Sequence, residues 1–332
     1  MKAIVLSGFG DTSNFKLTDL STPAVQANEV LVQIKATAFN PIDYQMRKGL
    51  RESRLMRSSV LGREFSGIVI ETGSGVSRFK LGDEVIALAG SMGSNGTYAG
   101  YISLHEQLLA KKPGNISFEQ AAAIPSSGLT AWECFSRAGI RPEESIFITG
   151  ATGGVGRFFI KLLKLYNVHR IVATAGSAES AEALTQLGIA NSDIVNYNVG
   201  NLEDAILLAN GGDRFDYSAD LAGGAISEVA ARVLKINGSY LDVTFLGTPE
   251  TRNALFDRAC KIYNIAAYAH GLSGNLNWYG ATLGLLADLV EANDIVPPEI
   301  NLIGDLSEAS VIDAHRLMES NLIFGKKLVM TI

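Results

Sequence analysis

The spacing of apolar and polar residues divides this chain into two kinds of region. Up to about residue 115, short apolar runs such as 30–34 and 66–70 are separated by glycine and proline. Runs of this kind predict an irregular, mostly antiparallel β-rich region. From about residue 120 the pattern changes to short strands alternating with apolar-periodic segments of ten or more residues. That alternation is typical of βαβ units and a parallel sheet.

Six strands and several covering helices are predicted in the second region. The strands are placed at residues 145–149, 170–174, 193–195, 215–218, 239–243 and 265–268. Six strands complete a doubly wound sheet. After residue 271, two further helices near 278–291 and 307–320 and a strand at 327–330 are expected to return to the first region. We therefore predict one domain from residues 1–120 with 271–332, and a second from residues 121–270.

Composition limits the function classes. Of 332 residues, 47% are hydrophobic and 19% charged, enough to bury sizeable cores. With 28 basic and 34 acidic residues the formal charge is −6, which disfavours nucleic acid as a partner. No apolar run approaches the roughly 20 residues needed to span a bilayer, and the first residues do not resemble a signal peptide. We expect no membrane partner and a cytoplasmic location. Cys134 and Cys260 predict neither a disulfide nor a metal framework.

A glycine-rich turn is the sharpest local signal. Residues 146–149 form a predicted strand that runs into a turn opening a helix, with A-x-G-x-x-G spacing over Ala151, Gly153 and Gly156. In a dinucleotide fingerprint the second small residue lets the backbone approach a pyrophosphate, and the third lets the helix pack on the strand. The helix N-terminus supplies free N–H donors for the anion. A glycine turn without any ligand is the plainer alternative.

The end of the second strand of this unit indicates which cofactor binds. A carboxylate at that point would bind both ribose hydroxyls of NAD and exclude a 2′-phosphate. Here the segment is Ala-Thr-Ala-Gly-Ser at 173–177, with no acid. Thr174 and Ser177 offer hydroxyl donors and space for a phosphate, so NADPH is favoured over NADH.

Ordered motifs along nearly the whole chain resemble those of the medium-chain dehydrogenase/reductase superfamily, in its quinone oxidoreductase and zeta-crystallin branch. Asn-Pro-Ile-Asp at 40–43 is similar to its N-x-x-D segment, residues 62–67 to its G-x-E-x-x-G turn, and residues 82–85 to its G-D-x-V. The glycine turn and the closing Gly-Lys-Lys-Leu-Val at 325–329 follow in the same order. The ordered set carries the resemblance, since each motif alone is weak.

The resemblance implies an α/β protein with a GroES-like β-rich catalytic domain and a Rossmann nucleotide-binding domain, a substrate cleft between them, and a homodimer formed through the nucleotide domain. It also implies which residues line the cofactor, with Phe245 in the loop beside the nicotinamide. The other positions carried over are Asn40, Thr130, Gly153, Gly154, Val155, Ser177, Tyr197 and Lys326. Relatives that use zinc carry a Cys and a His where this chain has Asn40 and Arg63, so the resemblance implies no metal.

Without a Lewis acid, the acceptor must be polarised by hydrogen bonds, which suits quinones and enones. The hypothesis is hydride transfer from NADPH to such an acceptor. Tyr44 is the best placed phenol to donate to an acceptor oxygen, although a Tyr that only packs the wall is the plainer interpretation. Two alternatives stay open: a reductase of alkenal or alkenone C=C bonds, and an NADPH-binding sensor or structural protein without turnover.

Overall fold

The structure, a computed structural model, describes residues 1–89, 95–320, 323 and 325–332. Two compact units are present: unit 1 comprises Met1–Leu129 and Tyr268–Ile332, and unit 2 comprises Thr130–Ala267. The change from unit 1 to unit 2 therefore falls later than the predicted residue 120. The reason is local packing, because the backbone N–H of Ser126 donates to the Glu64 carboxylate at 2.7 Å within unit 1.

Unit 1 begins with β-strands and short helices. Its strands are β1 (Lys2–Leu6), β2 (Phe15–Asp19), β3 (Glu29–Ala38), β4 (Glu64–Thr72), β5 (Glu84–Leu88), β6 (Tyr101–His105) and β7 (Leu109–Lys111). Its helices here are α1 (Pro41–Arg47) and α2 (Phe118–Ala122), followed by α3 (Pro125–Ala138), which continues into unit 2. The antiparallel pairing of β3 with β4 and β6 confirms the predicted irregular β-rich region.

Unit 2 alternates strands and helices. The strands are β8 (Ile146–Thr149), β9 (Ile171–Ala175), β10 (Ile194–Asn196), β11 (Phe215–Asp220), β12 (Leu234–Asp242) and β13 (Lys261–Asn264). The helices are α4 (Gly154–Leu165), α5 (Ala178–Gln186), α6 (Leu202–Ala209), α7 (Ala225–Arg232) and α8 (Pro249–Asp257). The described residues form one parallel sheet in the order β10-β9-β8-β11-β12-β13. This is the doubly wound order, with its switch point between β8 and β11, as predicted.

The end of the chain returns to unit 1, as the sequence pattern predicted. It contains α9 (Tyr268–Leu272), α10 (Asn277–Glu291), β14 (Ile300–Gly304), α11 (Glu308–Glu319) and β15 (Lys327–Thr331). Strand β15 pairs antiparallel with β3, so the order across the larger sheet is β14-β15-β3-β4-β5-β7. The starts of β15 and β4 therefore lie beside the end of β3. In the part of the chain that the structure describes, none of the helices has both the length and the hydrophobicity of a transmembrane segment.

One predicted strand was misplaced. The sixth strand of unit 2 was expected at residues 265–268, but β13 ends at Asn264 and helix α9 starts at Tyr268. The apolar run that suggested a strand follows the actual one. Strand β13 lies at the edge of the sheet and is mostly exposed, and an exposed edge strand does not need an apolar pattern.

Candidate functional site

The glycine turn of unit 2 lies between β8 and α4. Gly150, which the sequence analysis left out of the fingerprint, has φ +61°, and a Cβ there would meet the Leu221 backbone at 3.0 Å. Gly153 precedes helix α4 in extended conformation. At Gly156 a Cβ would lie 2.5 Å from the Ala151 carbonyl oxygen, so only glycine permits this contact between helix and turn. The turn therefore has the geometry that brings backbone N–H groups to a pyrophosphate.

Asp220, at the end of β11, is a buried residue that sequence reasoning missed. Its carboxylate accepts hydrogen bonds from the hydroxyls of Thr149 at 2.9 Å, Ser227 at 2.6 Å and Tyr240 at 2.8 Å. It also accepts the N–H of Gly223 at 2.9 Å. Because Thr149 directly precedes Gly150, this network fixes the start of the glycine turn. Its only sequence signal is an acid at the end of a predicted strand.

Three predicted cofactor residues lie together where β9 and β10 end. Thr174 is buried in β9, and Ser177 is exposed and caps helix α5 by accepting the Ser180 N–H at 3.2 Å. The Tyr197 ring lies over Gly176, where a Cβ would meet the Tyr197 hydroxyl at 1.9 Å. An exposed phenol and an exposed hydroxyl therefore border the same strand end. Whether they contact a cofactor stays a prediction.

Phe245 lies in the loop after β12 in an unusual backbone conformation. Its φ is +57° and it is 63% exposed. Its backbone N–H donates to the Asp242 carboxylate at 2.8 Å, which stabilises the turn. Positive φ at an aromatic residue is costly and often accompanies function. This geometry is compatible with the predicted place beside the nicotinamide, which remains a prediction.

In unit 1, a buried polar network joins the ends of three neighbouring strands. The Lys327 ammonium donates to Asn40 Oδ1 at 2.5 Å, to Glu64 Oε1 at 2.8 Å and to Ser127 Oγ at 3.4 Å. Asn40 Nδ2 also donates to Glu64 Oε1 at 2.8 Å. With Ser126 on its other oxygen, the Glu64 carboxylate is hydrogen-bonded at both oxygens. The Asn40 amide is therefore held rigidly at the start of α1.

The predicted Lys326 lies outside this network. Lys326 is exposed, and the next residue, Lys327, is the buried partner of Asn40 and Glu64. Lys327 is the buried first residue of β15, whereas Lys326 precedes the strand and is exposed. Thr130 lies on α3, at the first position of unit 2. For Thr130 and Lys326, cofactor contact stays a prediction.

Next to this network, Asp43 and Arg63 are buried charges. Asp43 Oδ2 accepts the Asn40 N–H at 2.8 Å. Burial raises the pKa of Asp43 to about 7, although the Asn40 hydrogen bond and the Arg63 charge act in the opposite direction. Burial likewise lowers the pKa of Arg63, against the favourable charges of Asp43 and Glu64. Among the residues described, Asp43 Oδ1 and Arg63 Nη1 have no hydrogen-bond partner.

Tyr44, the predicted proton donor, follows Asp43 on helix α1 and is half-buried. The Lys48 ammonium lies 5.5 Å from the centroid of the Tyr44 ring. Tyr44 directly follows Asp43, whose carboxylate accepts the Asn40 N–H, and it therefore lies next to the Asn40 network. The role of Tyr44 in catalysis stays a prediction.

The donor chemistry of unit 1 does not suit zinc. The residues at the two positions that the resemblance equates with zinc ligands are Asn40 and Arg63, and neither an amide nor a guanidinium supplies the thiolate or imidazole that zinc requires. Across residues 1–89, 95–320, 323 and 325–332, no cluster of His, Cys, Asp and Glu side chains could hold a metal ion.

Comparison with known proteins agrees with this architecture. The family described as alcohol dehydrogenase GroES-like domain matches residues 26–114, and the family described as zinc-binding dehydrogenase matches residues 154–283. The chloroplast envelope quinone oxidoreductase homolog of Arabidopsis thaliana is 32% identical over 71% of this chain and 72% of the relative. The NADPH-dependent alkenal/one oxidoreductase of the same plant is 30% identical over 100% of this chain and 80% of the relative.

Among solved structures, the quinone oxidoreductase from Coxiella burnetii is similar over 100% of this chain and 99% of its own, with 28% identity and a TM-score of 0.84. The predicted GroES-like domain and Rossmann domain are both confirmed. The chain belongs to the medium-chain dehydrogenase/reductase superfamily, in its quinone oxidoreductase-like branch.

Proposed function

We propose that this protein is an NADPH-dependent oxidoreductase that transfers hydride to a quinone or a similar conjugated carbonyl acceptor. The observation that carries the cofactor choice is the end of β9, where the strand runs into Gly176 and Ser177 without an acid, beside the glycine turn. The names of two relatives, a quinone oxidoreductase homolog and an NADPH-dependent alkenal/one oxidoreductase, support the reaction class.

The residues of unit 2 fit the cofactor. The N–H groups at the start of α4, after Gly153, would bind the pyrophosphate. Ser177 and Tyr197, exposed at the end of β9 and just after β10, would contact the adenosine side and its 2′-phosphate. When bound, the nicotinamide supplies the hydride.

The acceptor needs stabilisation of the charge that hydride transfer creates. As hydride adds to a conjugated carbon, the π electrons move to the carbonyl oxygen, and hydrogen-bond donors fixed near that oxygen lower the barrier. Tyr44 is the proposed donor of the proton that completes the reduction. The closed Asn40, Glu64 and Lys327 network holds the start of helix α1, and with it Tyr44, in place.

The test is the loss of NADPH absorbance with a benzoquinone, a naphthoquinone, an alkenal and an alkenone, with NADH in parallel. We expect turnover of quinones and a clear preference for NADPH. Turnover of enones alone would establish the alternative C=C reductase. Tight NADPH binding without turnover of any acceptor would contradict the enzyme and favour a sensor or structural role. Tyr44→Phe should lower kcat while leaving NADPH affinity unchanged.

We further propose a homodimer formed through unit 2. Strand β13 ends the parallel sheet, and Ile262 on it is 46% exposed. Phe256, in the preceding helix α8, is 84% exposed. An edge strand with exposed apolar side chains is a surface on which a second copy can pair. The cytoplasmic location remains a prediction from the sequence, since two relatives are named as chloroplast proteins.

A further inference from the structure

Arg63 is a buried guanidinium with an unused donor. It lies directly before β4 and is 6% exposed. Its Nη1 is fully buried and has no hydrogen-bond partner in the part of the chain that the structure describes. Buried polar atoms are almost always hydrogen-bonded, and an unmet donor on a charged group is more costly than one on a neutral group. An acceptor that is not part of unit 1 would remove this cost.

The charges around Arg63 indicate what kind of acceptor fits. Glu64 is neutralised by Lys327 at 2.8 Å, and both of its oxygens already accept hydrogen bonds. Asp43 is the second acid whose charge acts on Arg63. Because burial raises the pKa of Asp43 to about 7, the two acids and two bases together carry a net charge between zero and +1 near neutral pH. An anion with two or more charges would leave this cluster negative in a low-dielectric region, which is unfavourable. A single oxygen that carries or develops one negative charge is better matched.

The space beside Arg63 has the size of a single oxygen. Arg63 lines a cavity of about 10 Å³, and the other lining residues are Met46, Leu55, Met56, Arg57, Ser58, Val60, Leu61 and Gly62. A cavity of about this volume holds one water-sized group. Most of this lining is apolar, and an apolar wall strengthens a hydrogen bond from a guanidinium. Only the oxygen end of an acceptor would enter.

We propose that Arg63 binds the carbonyl oxygen of the acceptor and stabilises the oxyanion formed when hydride arrives. This rests on the proposed function. The hydride leaves NADPH, which becomes NADP⁺, and bonds with its electron pair to the conjugated carbon, while the C=C electrons shift so that the carbonyl becomes an enolate. A proton from Tyr44, which solvent then replaces, yields the reduced product. Arg63 stays protonated throughout and donates from Nη1 to the oxygen on which charge develops.

The competing explanation is a resident water that links Arg63 to Asp43 and never leaves. In that case Arg63 supports the fold only. Two readouts separate the explanations: the rate of acceptor reduction, and the binding of 4-nitrophenol, whose phenolate oxygen imitates the oxyanion and changes the visible absorbance of the probe.

The variants are Arg63→Gln and Arg63→Lys in the full-length protein, with Arg54→Gln, at an exposed position, as the matched control. For Arg63→Gln we expect kcat to fall about a hundredfold and the Kd of 4-nitrophenolate to rise at least about tenfold. NADPH affinity should not change. Arg63→Lys keeps the positive charge but lacks the planar guanidinium, so its kcat and its Kd for 4-nitrophenolate should lie between those of the wild type and of Arg63→Gln.

Each outcome decides the proposal. If Arg63→Gln folds and retains both kcat and phenolate affinity, Arg63 is structural and the proposal is overturned. If Arg63→Gln does not fold, Arg63→Lys decides. Unchanged kcat and phenolate affinity in Arg63→Lys would overturn the proposal, and a loss of both would support it. If the wild-type protein consumes no NADPH with any acceptor but still binds phenolate through Arg63, the proposed function fails and the oxygen site stands.

Discussion

At the residue scale, Ser177 combines a structural role with a predicted role in cofactor selection. Its hydroxyl accepts the Ser180 N–H at 3.2 Å and so caps helix α5, while the residue stays exposed at the end of β9. Aspartate caps helices as well as serine does. The charge at this position can therefore be changed without loss of the cap.

We predict that Ser177→Asp lowers NADPH affinity about tenfold, because a carboxylate near the 2′-phosphate repels it. NADH affinity should be unchanged or improved, since a carboxylate can accept hydrogen bonds from the ribose hydroxyls. Fluorescence titration with both cofactors measures the effect, and Ser177→Asn, a neutral capping residue, is the control. An equal loss of affinity in both variants would show that charge is not the cause.

His315 makes the stability of unit 1 depend on pH. Its ring lies in the core, with Nε2 3.3 Å from the Tyr98 hydroxyl and the ring edge-on to Phe15. Burial, and secondarily the charge of Arg47, lower the pKa of His315 to about 3. The unfolded chain binds a proton below a pKa of about 6.5, whereas the folded chain does not. The contribution of the neutral His315 to stability is thus complete above pH 6.5 and lost as the pH falls.

We expect His315→Gln to flatten this dependence. Between pH 6.5 and 5, the wild-type protein should lose about 2 kcal/mol more unfolding free energy than the variant. Urea unfolding at several pH values measures it, with His169→Gln, at an exposed position, as the control. Parallel pH profiles for wild type and His315→Gln would contradict the assignment, even if the variant is less stable at every pH.

At the element scale, helix α4 can contact the glycine turn only because Gly156 has no side chain. A Cβ at Gly156 would lie 2.5 Å from the carbonyl oxygen of Ala151 and 2.6 Å from the Cα of Ala151. Backbone atoms cannot move away as a flexible side chain could. By contrast, a Cβ at Gly284, within helix α10, would meet nothing within 4 Å. The two helical glycines therefore offer a matched comparison.

We predict that Gly156→Ala destabilises the protein by about 1–3 kcal/mol, the usual cost of overpacking, and weakens NADPH binding because α4 shifts from the turn. Gly284→Ala should be neutral or stabilising by up to about 1 kcal/mol, because alanine favours helix. Denaturant unfolding and NADPH titration test both. If Gly156→Ala matches Gly284→Ala, the close contact between helix and turn does not constrain the fold.

At the scale of the whole molecule, the exposed edge strand β13 of the unit 2 sheet is the proposed contact between two copies of the chain. We predict that Ile262→Lys, which places a charge on β13, converts the dimer to monomer without loss of fold. Leu302→Lys, on the exposed strand β14 of unit 1, should leave the dimer intact. Light scattering after size exclusion gives the mass of each. A wild-type monomer, or a dimer unaffected by Ile262→Lys, would contradict the proposed interface.

Both units could be anticipated from local patterns because their elements follow strong rules. Alternation of strands with periodic helices is sufficient to indicate a parallel sheet, and the β10-β9-β8-β11-β12-β13 order agrees. Prediction failed where the pattern was weak. Strand β13 is short and mostly exposed, with the polar residues Lys261 and Asn264 at its ends, so the longer apolar run after it gives the stronger strand pattern. The buried Asp220 has only a weak sequence signal, an acid near a strand end, since its partners Thr149 and Tyr240 lie 71 and 20 residues away.

Residue types within a few positions of each other were enough to predict the family, the glycine turn and the lack of an acid at the end of β9. The three-dimensional contacts were needed to show that Lys327, and not Lys326, meets Asn40 and Glu64, and that Arg63 is buried beside Asp43. These contacts join residues separated by up to 287 positions. Strand pairing and burial set such contacts, and local spacing does not encode either.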